Sequence, residues 1–265
     1  MGTDIERSLW KRTSLLIALL VAGLLGISIL EPIPQDLNYH RFADNRSLSG
    51  IPNFNDVASN AGFFLVGLLG VSVLLGRKSR AIFIEHADVR PYLLFFFSVA
   101  LVGLGSTYYH WDPSNERLLW DRLPMSIGFM AFSSAIVADR ISARAGNGWL
   151  LLVLIAAGIA SLIYWHWTEL QGRGDLRFYG FVQFYPMIAL PFIVWLFPRH
   201  RYTSVRYLLW VIVWYALSKV LEHFDSEVFA FFGHTVSGHT LKHVAAAVST
   251  FIVLRMLLSR TPATV

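Results

Sequence analysis

Residues 91–110 read PYLLFFFSVALVGLGSTYYH, and this stretch decides the architecture. From Pro91 to Tyr109 it holds no Asp, Glu, Lys or Arg. About 20 mostly apolar residues in a helix cross a hydrocarbon core of about 30 Å, so a membrane span is predicted here. The span ends on Ser106 and His110, and an ionisable group at such a place needs a physical reason.

Five further stretches are free of charge: Thr13–Leu30, Val57–Gly76, Leu123–Ala138, Asn147–Trp165 and Phe178–Pro198. Two more are strongly apolar but interrupted. Tyr207–Leu221 contains Lys219, and Thr235–Leu254 contains His239, Lys242 and His243. The expected fold is therefore all-α: a polytopic membrane helical bundle with a seven-helix core plus one extra N-terminal span. On this reading residues 1–34 form a cytoplasmic tail and anchor span, 35–258 the core, and 259–265 a cytoplasmic tail.

Composition agrees. Of 265 residues, 55% are hydrophobic and 15% charged, and the mean hydropathy is +0.53. Soluble domains carry about 25% charged residues, so a water-soluble enzyme is disfavoured, and a disordered chain is never this apolar. The net charge of +5 is spread along the chain. Nucleic acid, which selects a basic stripe or face, is not an expected partner. Cysteine is absent from the sequence, which rules out disulfides and thiolate metal sites. A transition metal would have to be held by histidine and carboxylate.

Lys and Arg set the orientation. Fourteen fall in the N-terminal tail, alternate loops and the C-terminal end: Arg7, Lys11, Arg12, Arg77, Lys78, Arg80, Arg90, Arg140, Arg144, Arg199, Arg201, Arg206, Arg255 and Arg260. Six fall on the opposite side: Arg41, Arg46, Arg117, Arg122, Arg173 and Arg177. Both termini are expected in the cytoplasm, and short Arg-rich loops suit a bacterial inner membrane. Residues 28–32, SILEP, lack the small-x-small pattern of signal cleavage, so the first span is expected to be a retained anchor.

This topology brings five polar groups to one depth near the outer face. Ser106 and His110 lie at the exit of their span, Asp121 opens the next, and His239 and His243 lie in the outer half of the last. Residues four apart share a helix face, with Cβ atoms about 5–6 Å apart. Ser106 with His110, and His239 with His243, are such pairs. Two histidines at that spacing bind zinc in other helical proteins, and a third His with a nearby carboxylate completes a catalytic site with an open position. Each residue also has an ordinary reading. Asp121 is a plausible N-cap or interfacial charge beside Arg122, and Ser106 is ordinary at helix contacts in membranes. Singly the ordinary readings win; at one depth the group points to a metal.

Other polar residues carry less. His40, His86 and His200 are expected to be solvated in loops, and His166, between Trp165 and Trp167, reads as part of an aromatic belt. His223 and His234 flank the last outer loop as candidate substrate contacts. Lys219 and Lys242 are expected to snorkel or to pair with an acid such as Glu222.

In order and spacing, GSTYYH (105–110), DRLPM (121–125) and HTLKH (239–243) resemble the alkaline ceramidase family. That family belongs to a superfamily of seven-span membrane hydrolases that includes the adiponectin and progestin receptors. NYHRFADNRSLSGIPNFNDVASNAGFF (38–64) resembles the approach to the first core span, and the likeness covers roughly Asn38 to Leu257. It implies zinc on His110, His239 and His243, with Ser106 and Asp121 beside the metal as catalytic groups. Two departures stand out. Arg122 occupies a position that is usually acidic in animal and fungal members. The family's calcium site uses an acidic cluster ahead of the first core span, where only Asp36, Asn38 and Asp44 are counterparts, with Asn53 and Asn55 further on; calcium is left out of the assigned sites.

The expected activity is zinc-dependent hydrolysis of a lipid amide, ceramide-like, to a fatty acid and an amine. Asp121 would move the proton and Ser106 would donate to the oxyanion. The partner would be a membrane N-acyl lipid, and nothing in the sequence selects an oligomeric state. Two other readings stay open: a receptor-like or structural membrane protein that binds zinc without turnover, and a transporter whose His, Asp and Lys form a proton relay. The relay requires charges through the full membrane depth.

Overall fold

The computed structural model describes residues 2–77, 79–202 and 204–260. The described residues form helices and connecting loops, with no strand beyond an isolated Leu48–Ile51 bridge. In chain order the helices are α1 (Gly2–Ser28), α2 (Phe54–Ser59), α3 (Ala61–Leu75), α4 (Ser79–Ile82), α5 (Val89–Trp111), α6 (Asn115–Arg140), α7 (Ala143–Gly146), α8 (Trp149–Leu170), α9 (Arg177–Leu196), α10 (Val205–His223), α11 (Asp225–Phe231) and α12 (Gly238–Leu258). Short 3₁₀ turns cover Leu37–His40 and His86–Asp88. The expected tail at 259–265 lies, from residue 261, outside the described residues.

Six segments are long and apolar enough to cross a bilayer: Leu9–Ser28, Phe54–Leu75, His86–Trp111, Trp149–Leu170, Arg177–Leu196 and Gly238–Leu258. The other two long helices, α6 and α10, carry more charge. At 26 and 19 residues they still reach about 39 and 28 Å. The protein is thus a polytopic helical bundle with a seven-helix core and one added helix. The added helix, α1, packs against the outside of α9, and its apolar side chains, Leu15, Ile17 and Leu25 among them, remain exposed as a lipid-facing span requires.

Within the core, α5 lies between α3 and α6, α12 between α3 and α10, and α6 supports α8 and α9. Phe96, Ala131, Ile136 and Leu257 are fully enclosed there. The α5–α6 approach has an atomic cause. Pro124 lacks the N–H that would engage the Trp120 carbonyl one turn earlier. A Cβ on Gly105 would sit 2.2 Å from that oxygen, so only glycine lets α5 come this close. Gly105 and Pro124 therefore set the spacing between the helices that carry Ser106 and Asp121.

The structure corrects one boundary that matters. The apolar run Leu123–Ala138 is only the inner part of α6, which begins at Asn115. Asp121 does not open the helix. Ser114 is the N-cap, its hydroxyl accepting from the Arg117 amide at 3.3 Å. Charge interrupts the apolar run without interrupting the helix, because Asp121 and Arg122 turn inward and are buried.

At the end of the bundle away from the histidines, Asp88 accepts from Asn147 Nδ2 at 2.5 Å, from Arg201 at 3.1 Å and from the Tyr202 hydroxyl. Burial, reinforced by the Asp88 carboxylate, pushes the Tyr202 hydroxyl up to about 12. Asp139 accepts the Arg201 and Tyr202 amides at 3.0 and 2.7 Å. Arg201, counted among the loop charges, thus also ties the α9–α10 connection to the helix ends.

Candidate metal centre

His110 comes from the last turn of α5, and His239 and His243 from the first two turns of α12. Ser237 caps α12, its hydroxyl accepting from the Thr240 amide at 3.0 Å. Asp225 accepts from the His239 amide at 2.7 Å and from the Ala43 amide at 2.9 Å. A Cβ on Gly238 would lie 2.2 Å from the Leu221 carbonyl, so this glycine lets α12 start hard against the end of α10.

The three imidazoles converge. Each offers one nitrogen, and these nitrogens all lie within 4.8 Å of one another. Nε2 of His239 is 3.3 Å from Nε2 of His110, and the ring centroids are 4.8, 4.9 and 5.0 Å apart. All three residues are at most 5% exposed. The phenyl ring of Phe42 lies 4.6 Å from both the His110 and His239 rings and covers the cluster on the loop side.

The surroundings test whether this donor set fits a metal. Ser59 Oγ donates to the Asp56 carbonyl at 3.0 Å, so toward His243 Nδ1, 2.8 Å away, it serves as acceptor. That assigns the proton to Nδ1 and leaves the Nε2 lone pair facing the other rings. Asn53, in a left-handed conformation, donates to the His110 carbonyl at 2.8 Å. Three imidazoles with an outer-shell partner on a ring nitrogen are a donor set for a transition metal. The three buried histidines can hold such an ion.

Ser106 and Asp121 are both buried. Together with His243 they line a cavity of about 870 Å³ between α3, α5, α6, α9, α10 and α12. Its polar end also carries Tyr39, Arg122, Lys219, Glu222 and Lys242, and its far end is walled by Phe95, Phe132, Leu190 and Val253. The expected pairing of the span lysines holds: Lys219 and Lys242 reach Glu222 at 2.7 and 2.6 Å, and the Tyr39 hydroxyl donates to it at 3.1 Å.

Several residues sit elsewhere than expected. His223 and His234 are exposed, each against a neighbouring phenyl ring, and do not line the cavity. His40 is half-buried and bonded to Tyr109 and Asn115 at 2.9 Å each, because the 3₁₀ turn packs onto the end of α5. The counterparts of a calcium site do not fit a cation. Arg46 takes both Asp44 oxygens at 2.7 Å, Asn55 donates to the same carboxylate, and Asp36 accepts the Asn38 amide. Burial raises the Asp44 pKa, yet the Arg46 hydrogen bonds outweigh it and hold the carboxyl below its usual range.

Sequence reading missed the supporting shell. Asp56, fully buried, accepts from Thr240 at 2.6 Å and Ser237 at 3.4 Å, and Ser59 and Phe42 touch the histidines directly. The one signal for Asp56 and Ser59 is polar residues three apart at the mouth of an apolar run.

No family model matches the chain, and neither does any curated protein or solved structure.

Proposed function

We propose that this protein is a zinc-dependent membrane amidase that cleaves N-acyl lipids to a free fatty acid and an amine. The observation that carries the reading is three buried imidazoles converging on one point, with His243 among them lining the polar end of a cavity whose far end is apolar. Zinc, which His110, His239 and His243 would hold, would supply Lewis acidity, lowering the pKa of water to about 7 and polarising the amide carbonyl. Asp121 takes the proton from the attacking water and delivers it to the leaving nitrogen, as general base and then acid. The water oxygen bonds to the acyl carbon as the C–N bond breaks. Ser106, one helical turn before His110, donates to the oxyanion that develops on the carbonyl, a role often worth about 3 kcal/mol.

The cavity suits a lipid. Among the described residues α9 and α10 form no packed seam. Gln183 and Tyr215 bridge them at 3.3 Å, and Lys219 lies over the Phe184 ring. Phe184 and Ile188 line the cavity there and are about half exposed, at 49% and 53%. An acyl chain can enter sideways from the bilayer while its amide reaches the histidines. Between the polar end of the cavity and the separate Asp88–Arg201 cluster at the other end of the bundle, the far wall carries Phe95, Phe132, Leu190 and Val253 and no charge, against the depth-spanning charges that a proton relay requires. The Lys and Arg asymmetry supports cytoplasmic termini, and thus a site near the outer face of a bacterial inner membrane.

The test is fatty-acid release from a panel of N-acyl lipids by purified, zinc-loaded protein, with His239→Ala in parallel. Release by the wild type and none by His239→Ala is expected. Bound zinc without release from any lipid would overturn the enzyme reading in favour of a receptor-like protein.

A further inference from the structure

At the polar end of the cavity Lys219 and Lys242 pair with Glu222, whereas Arg122 forms no ion pair with a described residue. The residue is 7% exposed and lines the cavity beside Asp121. Its guanidinium lies over three aromatic rings, with the carbon 4.8 Å from the Trp165 centroid, 4.9 Å from Tyr179 and 5.3 Å from Tyr39. It makes no hydrogen bond or ion pair with any described residue, and its NH1 nitrogen is buried without a partner.

A guanidinium has five N–H donors in its plane, arranged to meet a carboxylate or phosphate. Aromatic faces stabilise the charge but accept none of those in-plane hydrogen bonds. A buried donor left unpaired is costly, so the arrangement calls for an acceptor that this chain does not provide. The local charge points to the kind of acceptor. Lys219 and Lys242 share the single carboxylate of Glu222. With Arg122 and Asp121 included, three cations face two buried acids; Asp36 stands exposed at the rim, and Arg177 is paired with Asp175. A neutral, hydroxyl-bearing headgroup would leave that excess uncompensated.

We propose that Arg122 recognises an oxyanion on the amine half of the substrate, so that the preferred lipids are anionic N-acyl amines such as N-acyl amino acids. This rests on the amidase reading for turnover but not for binding. In a bound complex the caged guanidinium pairs with the anionic group, and the acyl chain occupies the apolar end.

The experiment uses full-length, zinc-loaded protein in nanodiscs and three lipids with one acyl chain: N-palmitoylglycine, N-palmitoylethanolamine and N-palmitoylphosphoethanolamine. Binding and fatty-acid release are both measured. The wild type is expected to prefer one or both anionic lipids over the ethanolamide by about tenfold or more, as a charged buried hydrogen bond implies. The preferred anion identifies the source as carboxylate or phosphate. In Arg122→Gln the preference collapses toward one, and Arg122→Lys, which keeps the charge without the fork, lies between. The wild-type ratio stands alone should a variant fail to fold. Equal binding and turnover of all three lipids would make Arg122 a purely structural caged arginine and overturn the inference, with the amidase intact. Selective binding without release would overturn the amidase and leave the recognition of anionic amphiphiles standing.

Discussion

The hydroxyl of Ser59 lies 2.8 Å from Nδ1 of His243 while donating its own proton to the Asp56 carbonyl. This contact between α2 and α12 fixes which imidazole nitrogen is free. With Nδ1 protonated, Nε2 presents its lone pair to the point where His110 and His239 also aim, and no ring flip is needed to bind a cation.

Ser59→Ala removes that orientation without touching a ligand. Loss of an outer-shell partner of this kind costs roughly 10–100-fold in metal affinity. A competition titration of zinc against a chromophoric chelator should show a drop of that size with the fold retained by circular dichroism. Unchanged affinity would mean that packing alone orients His243.

Asp121→Asn keeps the shape of the cavity and all three histidines. Zinc content, measured by elemental analysis, should stay at the wild-type level while turnover falls by about 10²–10⁴-fold, the usual worth of a general acid–base group. Equal turnover in mutant and wild type would remove Asp121 from the chemistry.

Gly105→Ala places a methyl group 2.2 Å from the Trp120 carbonyl. The obstacle is backbone, so α5 and α6 must part, at a cost of about 1–3 kcal/mol. A lower melting temperature in detergent is expected, together with reduced turnover, because Ser106 and Asp121 ride on the two helices. Gly26→Ala, which meets nothing within 4 Å, is the control.

Asp175 gives the loop between α8 and α9 a pH dependence. Its carboxylate accepts from Arg177 at 2.7 and 2.9 Å and from the Tyr164 hydroxyl at 2.9 Å. The Arg177 hydrogen bonds outweigh burial and bring the carboxyl down to about 2. A carboxyl whose folded pKa is depressed stabilises the fold above its unfolded value of about 4, and that contribution fades as pH falls toward 2. Wild type should therefore be more stable than Asp175→Asn at pH 5, with the gap shrinking between about pH 4 and pH 2. A gap independent of pH over that window would show that the ion pair contributes through packing alone.

How much was legible follows from which interactions are local. Period-free apolar runs of about 20 residues report burial in lipid, so the spans of α1, α3, α5, α8 and α9 could be read directly, and that of α12 despite the charged residues that interrupt it. The one-turn spacing that pairs Ser106 with His110 and His239 with His243 is likewise a property of single helices. For α6 the same rule placed the start near Leu123, eight residues late, because hydropathy counts charges without knowing which way they face.

What the sequence by itself determined is the all-helical membrane architecture and the identity of the three histidines, since both depend on local composition and helical spacing. Tertiary structure alone decided that the ligand nitrogens meet, that Ser59 orients His243 while Asp56 holds the start of α12, that Arg46 occupies the acidic cluster ahead of α2, and that Arg122 sits caged beside the cavity. These are contacts between groups up to 184 positions apart. Their geometry is set by how closely helices approach, at Gly105 against Trp120 and Gly238 against Leu221, and such distances are properties of packing between helices that no single stretch of chain encodes.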